Sequence, residues 1–129
     1  MTAYLLDTHA LIWWFLDSPR LSEPARAAIR DYADPVHVSA VSAFEIATKV
    51  RLGKLPEAAR LDRAFETFIE AQDFKPLPLT LEHALVAGGL SDSHKDPFDR
   101  LLIGQALSEN MTLISNERIF DGFGVRRLW

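Results

Sequence analysis

No cysteine occurs anywhere in the sequence, so neither disulfides nor thiolate-held metals contribute to its fold or chemistry. No apolar run approaches the ~20 residues that span a bilayer. The densest, Ala10 to Leu16, follows polar Thr8 and His9 and stops at Asp17-Ser18-Pro19. The N-terminus lacks the basic flank and small-residue cleavage site of a secretory signal, so a cytoplasmic location without a membrane partner is expected. An excess of basic charge is missing as well. The net charge of −4 counts against holding nucleic acid by bulk electrostatics. Any such contact has to be local, through short basic patches or metal ions. No glycine-rich loop follows a strand-like run, which disfavours a nucleotide-binding protein.

What is present is an ordinary globular balance, with 48% apolar and 25% charged residues in 129. That is the size of one domain, read here as residues 1–129, able to bury one hydrophobic core. Repeats, low-complexity tracts and long linkers are absent from the sequence. Tyr4-Leu5-Leu6 reads as a strand, followed by a helix from about Thr8 to Leu16. Ser22 starts a second helix, with Glu23 and Pro24 in its first turn, where both are favoured. Val36-His37-Val38 is strand-like. Ser42 then opens a helix whose apolar residues Ala43, Ile46, Ala47 and Val50 follow helical spacing, ended by Gly53.

An amphipathic helix carries Leu61, Ala64, Phe65, Phe68 and Ile69 on one stripe. Lys75-Pro76-Leu77 precedes a helix from about Leu81 to Ala87, stopped at Gly88-Gly89. Asp96-Pro97 begins a helix to about Glu109, and Thr112-Leu113-Ile114 and Val125-Arg126-Arg127 are strand-like. Strands interleaved with helices argue for an α/β fold with a central, mostly parallel sheet flanked by helices. In such folds the strand C-terminal ends share one edge, where ligands bind.

Acidic residues fall where strands end or helices begin: Asp7, Glu45, Asp96 with Asp99, and Glu117. Each has an ordinary structural reading. Asp7 can cap its helix. Ser42-Ala43-Phe44-Glu45 fits a capping box, and Glu45 can instead pair with Lys49 one turn on. Asp96-Pro97-Phe98-Asp99 fits an N-cap, a proline at the first position and an acid in the first turn. Glu117 can be a solvated surface residue. Jointly, one sheet edge could bring these carboxylates together. Converging carboxylates repel one another unless a cation sits between them, and such oxygen-rich clusters suit Mg²⁺ or Mn²⁺.

Leu5 to Trp14, with Asp7-Thr8-His9-Ala10 inside it, resembles the opening of the PIN-domain ribonuclease toxins of the VapC type. Ser42 to Ala47 and Asp96 to Ile103 resemble that family's second and third motifs, and Leu113 to Phe120 its last. Four motifs in order, with Gly124-Val125 and a terminal strand, extend the resemblance over nearly the whole chain. It implies a three-layer PIN-like fold and a metal-dependent endoribonuclease, the toxin of a toxin–antitoxin pair. Carried over by position, the family's acidic residues fall on Asp7, Glu45 and Asp99, with Asp96 an alternative to Asp99. At the last motif an aspartate is common where this chain has Glu117. The longer side chain leaves direct contact, contact through water, or none, all open. Ser115 occupies the hydroxyl position before it.

The resemblance thus implies Asp7, Glu45, Asp99 and Glu117 as catalytic, and Asp7, Glu45, Asp99 and Asp96 as holders of Mg²⁺ or Mn²⁺. An ion there would offset the repulsion between the acidic site and the scissile phosphate and activate water for attack. One ion or two is left open.

Ser115, Lys95 and Arg100 are the candidate substrate contacts. The bland alternative for the last two is a solvated charged loop with an Asp96–Arg100 pair. His9, His37, His83 and His94 are not spaced as a ligand set. His9, beside Asp7, is a conceivable substrate contact, with packing or exposure as the alternative. Of Trp13-Trp14-Phe15 at least one should be buried, and the others leave aromatic surface for a partner. The implied partners are RNA, an antitoxin lying across the toxin groove, and a second copy in a homodimer. Two other readings compete. One is a degenerate PIN module that binds RNA or protein without cutting. The other is an aspartyl phosphatase, disfavoured because His9 stands where its second aspartate is usual.

Overall fold

A computed structural model gives the architecture and describes residues 2–31, 33–91 and 94–129. Five strands are β1 (Tyr4–Leu6), β2 (Val36–Ser39), β3 (Lys75–Leu77), β4 (Thr112–Ile114) and β5 (Arg127–Leu128). They form one sheet in the order β3-β2-β1-β4-β5, with every pairing parallel. The seven α-helices among the described residues are α1 (Thr8–Phe15), α2 (Glu23–Arg30), α3 (Ala40–Arg51), α4 (Ala59–Arg63), α5 (Phe65–Ala71), α6 (Leu81–Gly89) and α7 (Pro97–Glu109). The expected α/β fold with helices on both faces of a parallel sheet is borne out.

Strand alternation divides the core in two. Leu5 and Leu113 point to one face with Leu102, Ile103 and Ala106 of α7. Leu6 and Ile114 point to the other with Leu11, Ile12, Ala25 and Leu61. Both faces are covered, as parallel sheets require, so the single expected core is two layers of apolar packing. Burying each of these leucines and isoleucines contributes about 2 kcal/mol.

Several helix boundaries were legible from capping chemistry. Ser22 caps α2 by accepting from Ala25 N–H at 3.2 Å. Gly53 follows α3 at φ +73°, a conformation that glycine adopts without strain. Other expectations need correction. α3 starts at Ala40, not Ser42, because Ser39 at the end of β2 accepts from Val41 N–H and acts as the cap. The stripe from Leu61 to Ile69 is two short helices broken at Ala64, whose backbone leaves the helical region at φ −129°, ψ 33°. Only Leu61 and Ile69 of that stripe are fully buried.

Lys75-Pro76-Leu77 forms the edge strand β3, where Pro76 can sit without its N–H. None of Trp13, Trp14 and Phe15 is fully buried; all three lie half-buried against the Leu6-side core. Trp14 Nε1 donates to Gln72 Oε1 at 2.9 Å and Trp13 meets Trp129 edge to face.

α6 and α7 pack closely at Gly104. A Cβ there would lie 2.7 Å from the His83 carbonyl oxygen and 2.9 Å from the Ala87 Cβ. Gly104→Ala is therefore expected to destabilise the protein by ~1–3 kcal/mol through overpacking, a loss to be read from urea unfolding midpoints. An unchanged midpoint would mean that the two helices separate without cost.

Candidate active site

From β1 the chain runs through α1 and α2 to β2 on one side, whereas β3 crosses back over β1 to β4 on the other. The crevice between the C-terminal ends of β1 and β4 is thus the topological switch point, where α/β sheets bind ligands. Leu6 and Ile114 are in register at that end. The next residues on the two strands are Asp7 and Ser115, both buried.

Asp7 is 5% exposed. Its backbone N–H donates to the Ile114 carbonyl at 3.1 Å, and its Oδ1 accepts from Ala10 N–H at 2.7 Å, capping α1. The capping reading is therefore correct, but it does not exhaust the residue. Burial pushes the Asp7 carboxyl from 3.8 up to about 6; the Ser115 hydroxyl, the Ala10 amide and His9 oppose this, and the Asp99 charge adds to it.

Asp99 stands in the first turn of α7. Burial also raises its pKa, the bond to His94 lowers it, and the charges of Asp96 and Glu45 raise it. Asp7, Asp99 and Glu45 are thus electrostatically in one site. Asp96 is the α7 N-cap: its Oδ1 accepts from Phe98 N–H at 2.9 Å and Asp99 N–H at 3.2 Å.

Glu45 faces the same crevice from α3 and is 6% exposed. Since α3 is capped by Ser39, the expected capping box at Ser42 does not form. Ser42 is instead at 3.0 Å from the Thr8 hydroxyl, and Thr8 Oγ1 donates to Glu45 Oε1 at 2.6 Å. The alternative pairing with Lys49 is present: Nζ donates to Glu45 Oε2 at 2.5 Å and lies 5.6 Å from the Phe98 ring centre. Both oxygens of Glu45 are engaged.

Thr8 and Ser42 were missed as site residues. The signal lay in the spacing of Ser42, Glu45 and Lys49 along one helix face and in a hydroxyl immediately after Asp7. His94 Nε2 lies 2.9 Å from Asp99 Oδ2. Arg100 donates to the His94 carbonyl at 2.9 Å and the Leu90 carbonyl at 2.6 Å, bracing the loop before α7. Lys95 is exposed. Glu117 is exposed too; its backbone N–H donates to Ser115 Oγ at 3.0 Å while its side chain stands at the surface.

As the side chains stand, no three histidines or acids among the described residues are grouped to hold a metal ion. Glu45 is turned to Thr8 and Lys49, and Asp99 to His94. The donor set itself fits a hard divalent cation: it is all carboxylate oxygen, and two of its members carry raised proton affinity that a cation would relieve.

The parallel α/β sheet thus carries the buried Asp7 at its switch point, within reach of the charge of Asp99, which in turn feels Glu45. The chain belongs to the PIN-domain family, whose model matches residues 4–125. Ribonuclease VapC22 of Mycobacterium tuberculosis is 32% identical over 123 residues, 92% of this chain and 89% of that protein. The fold is similar to VapBC2 from Rickettsia felis bound to a promoter DNA fragment, with TM-score 0.71 at 14% identity, covering 98% of this chain and 97% of that one. VapBC-1 from nontypeable Haemophilus influenzae gives TM-score 0.69 at 18% identity, covering 98% and 96%. At those identities the two structures speak to fold alone. The resemblance drawn from the four sequence motifs is borne out.

Proposed function

We propose that this chain is a divalent-metal-dependent endoribonuclease, the toxin of a toxin–antitoxin pair, with Asp7, Glu45 and Asp99 at its centre. The observation that carries this reading is the buried Asp7 at the switch point, raised by burial and by the charge of Asp99. The whole-chain likeness to a protein named a ribonuclease gives the reaction class. Asp7, Glu45 and Asp99 would hold Mg²⁺ or Mn²⁺, with Asp96 positioning the Asp99 backbone by capping. A bound ion would supply charge neutralisation at the phosphate and acidify water. Thr8 and Ser42 orient Glu45, His94 orients Asp99, and Ser115 donates to Asp7. Lys95 is the exposed candidate for a phosphate contact, Arg100 acts by shaping its loop, and Glu117 reaches the crevice only by rotating inward.

Incubation with total RNA and Mn²⁺ should give discrete fragments that EDTA abolishes. A second reading, a PIN module that binds without cutting, draws on the exposed Glu117 and the engaged Glu45. Metal-independent RNA retention without fragments would select it.

The partners proposed are an antitoxin and a second copy. No helix among the described residues is long and apolar enough to cross a membrane. The outward face of α6 carries Leu81 at 85% and Leu85 at 76% exposure. Gly88 and Gly89 follow on the same helix, with open space where a Cβ would stand. A two-fold antiparallel pairing of α6 helices would seat the leucines of one copy over the glycines of the other, a self-complementary surface. Leu85→Lys should convert a dimer to a monomer in light scattering; a dimer that persists would place the interface elsewhere.

A further inference from the structure

Lys49 is the one cation in direct contact with the acidic crevice that the proposed reaction leaves without a role among the described side chains. It sits one turn after Glu45 on α3, half-buried, with its ammonium on Glu45 Oε2. Thr8 already holds Oε1. Each Glu45 oxygen thus already accepts one hydrogen bond, and the Lys49 ammonium on Oε2 opposes a second cation at that oxygen. The Thr8 bond is the fixed one: Thr8 is 4% exposed, begins α1 directly after Asp7, and also contacts Ser42. The Lys49 bond is the exchangeable one. Its side chain is a flexible four-carbon stem with 32% exposure, and the face of the Phe98 ring offers its ammonium a second favourable contact.

We propose that Lys49 is the resident counter-cation of this site and competes with the divalent ion for Glu45 Oε2. Without metal, Lys49 neutralises Glu45 and lowers the repulsion among Glu45, Asp99 and Asp7. When metal binds, Glu45 turns to it on its Thr8 pivot and Lys49 is displaced along the Phe98 ring toward solvent. The resting crevice is thereby kept folded without an ion, at the cost of weaker metal affinity. This inference rests on the metal-dependent reading above.

Calorimetric titration of the full chain with Mn²⁺ tests it without any cleavage assay. Lys49→Met should bind Mn²⁺ about tenfold more tightly than the wild type, the size expected for removing a close like charge and a competing ligand. Lys49→Arg, which keeps the charge on Glu45, should stay within about threefold of the wild type on the same argument. Lys54→Met removes an equal charge from the exposed end of the same segment and measures the general field effect.

Equal tightening in Lys49→Met and Lys54→Met would reduce Lys49 to bulk charge and overturn the proposal. Unchanged or weaker binding in Lys49→Met would overturn it as well. Binding by the wild type with either of those results leaves the metal-dependent reading standing. No Mn²⁺ binding by any folded variant, with folding checked by circular dichroism, would remove both.

Discussion

Asp7→Asn is expected to abolish metal-dependent cleavage and, in the same protein, to raise the stability of the metal-free chain at neutral pH. The second effect follows from the carboxyl being raised from 3.8 to about 6 by burial. A folded pKa above the unfolded one means that the fold prefers the protonated acid. Stability from Asp7 is therefore full below the unfolded value and is lost as pH rises through the folded value. At ~1.4 kcal/mol per tenfold in proton affinity, the neutral-pH penalty is up to about 3 kcal/mol. Asparagine keeps an oxygen for the Ala10 N–H, so the α1 cap survives the change.

Urea unfolding in EDTA should show Asp7→Asn more stable at pH 7.5, with the advantage shrinking toward pH 4. Adding Mn²⁺ should stabilise the wild type by mass action and leave the variant unmoved. A variant less stable than wild type at pH 7.5 would mean that the buried charge is not penalised, and would remove the physical case for a cation at this crevice.

The next largest effect is expected from Thr8→Val, which keeps shape and removes one hydroxyl. That hydroxyl ties α1 to Glu45, and it also meets the buried Ser42 Oγ. Loss of an orienting partner of a metal ligand typically costs ~10–100-fold in activity or affinity. Leaving Ser42 without this partner adds about 1–3 kcal/mol of destabilisation. Thr8→Ser, which restores the hydroxyl, should recover most of both. If Thr8→Val cleaves RNA as fast as the wild type under saturating Mn²⁺, Glu45 does not need Thr8 as its pivot.

Much of this protein was legible without coordinates because local chemistry agreed with global fold. Asp96-Pro97 marked the start of α7 because an N-cap and a first-turn proline act on their own backbone. Tyr4 to Leu6 and Thr112 to Ile114 read as buried strands because parallel sheets cover both faces. The break at Ala64 was not legible, since the apolar stripe from Leu61 to Ile69 continues through it. Nor was the start of α3: Ser39 and Ser42 are both competent caps, and only the end of β2 selects Ser39.

The sequence by itself determined an α/β chain without thiolate chemistry: no cysteine, four acidic motifs in a recognisable order, and a residue pattern that places carboxylates at strand ends. Those are properties of composition and of contacts within a few residues. Only the tertiary structure decided which carboxylates meet. Asp7 and Glu45 are 38 residues apart in the chain numbering, and parallel pairing of β1 with β2 and β4 brings their elements to one edge. The same assembly turned Arg100 onto loop carbonyls, left Glu117 in solvent, and gave Glu45 both Thr8 and Lys49. Such partners are set by the packing of elements distant in sequence, so spacing alone carries no record of them.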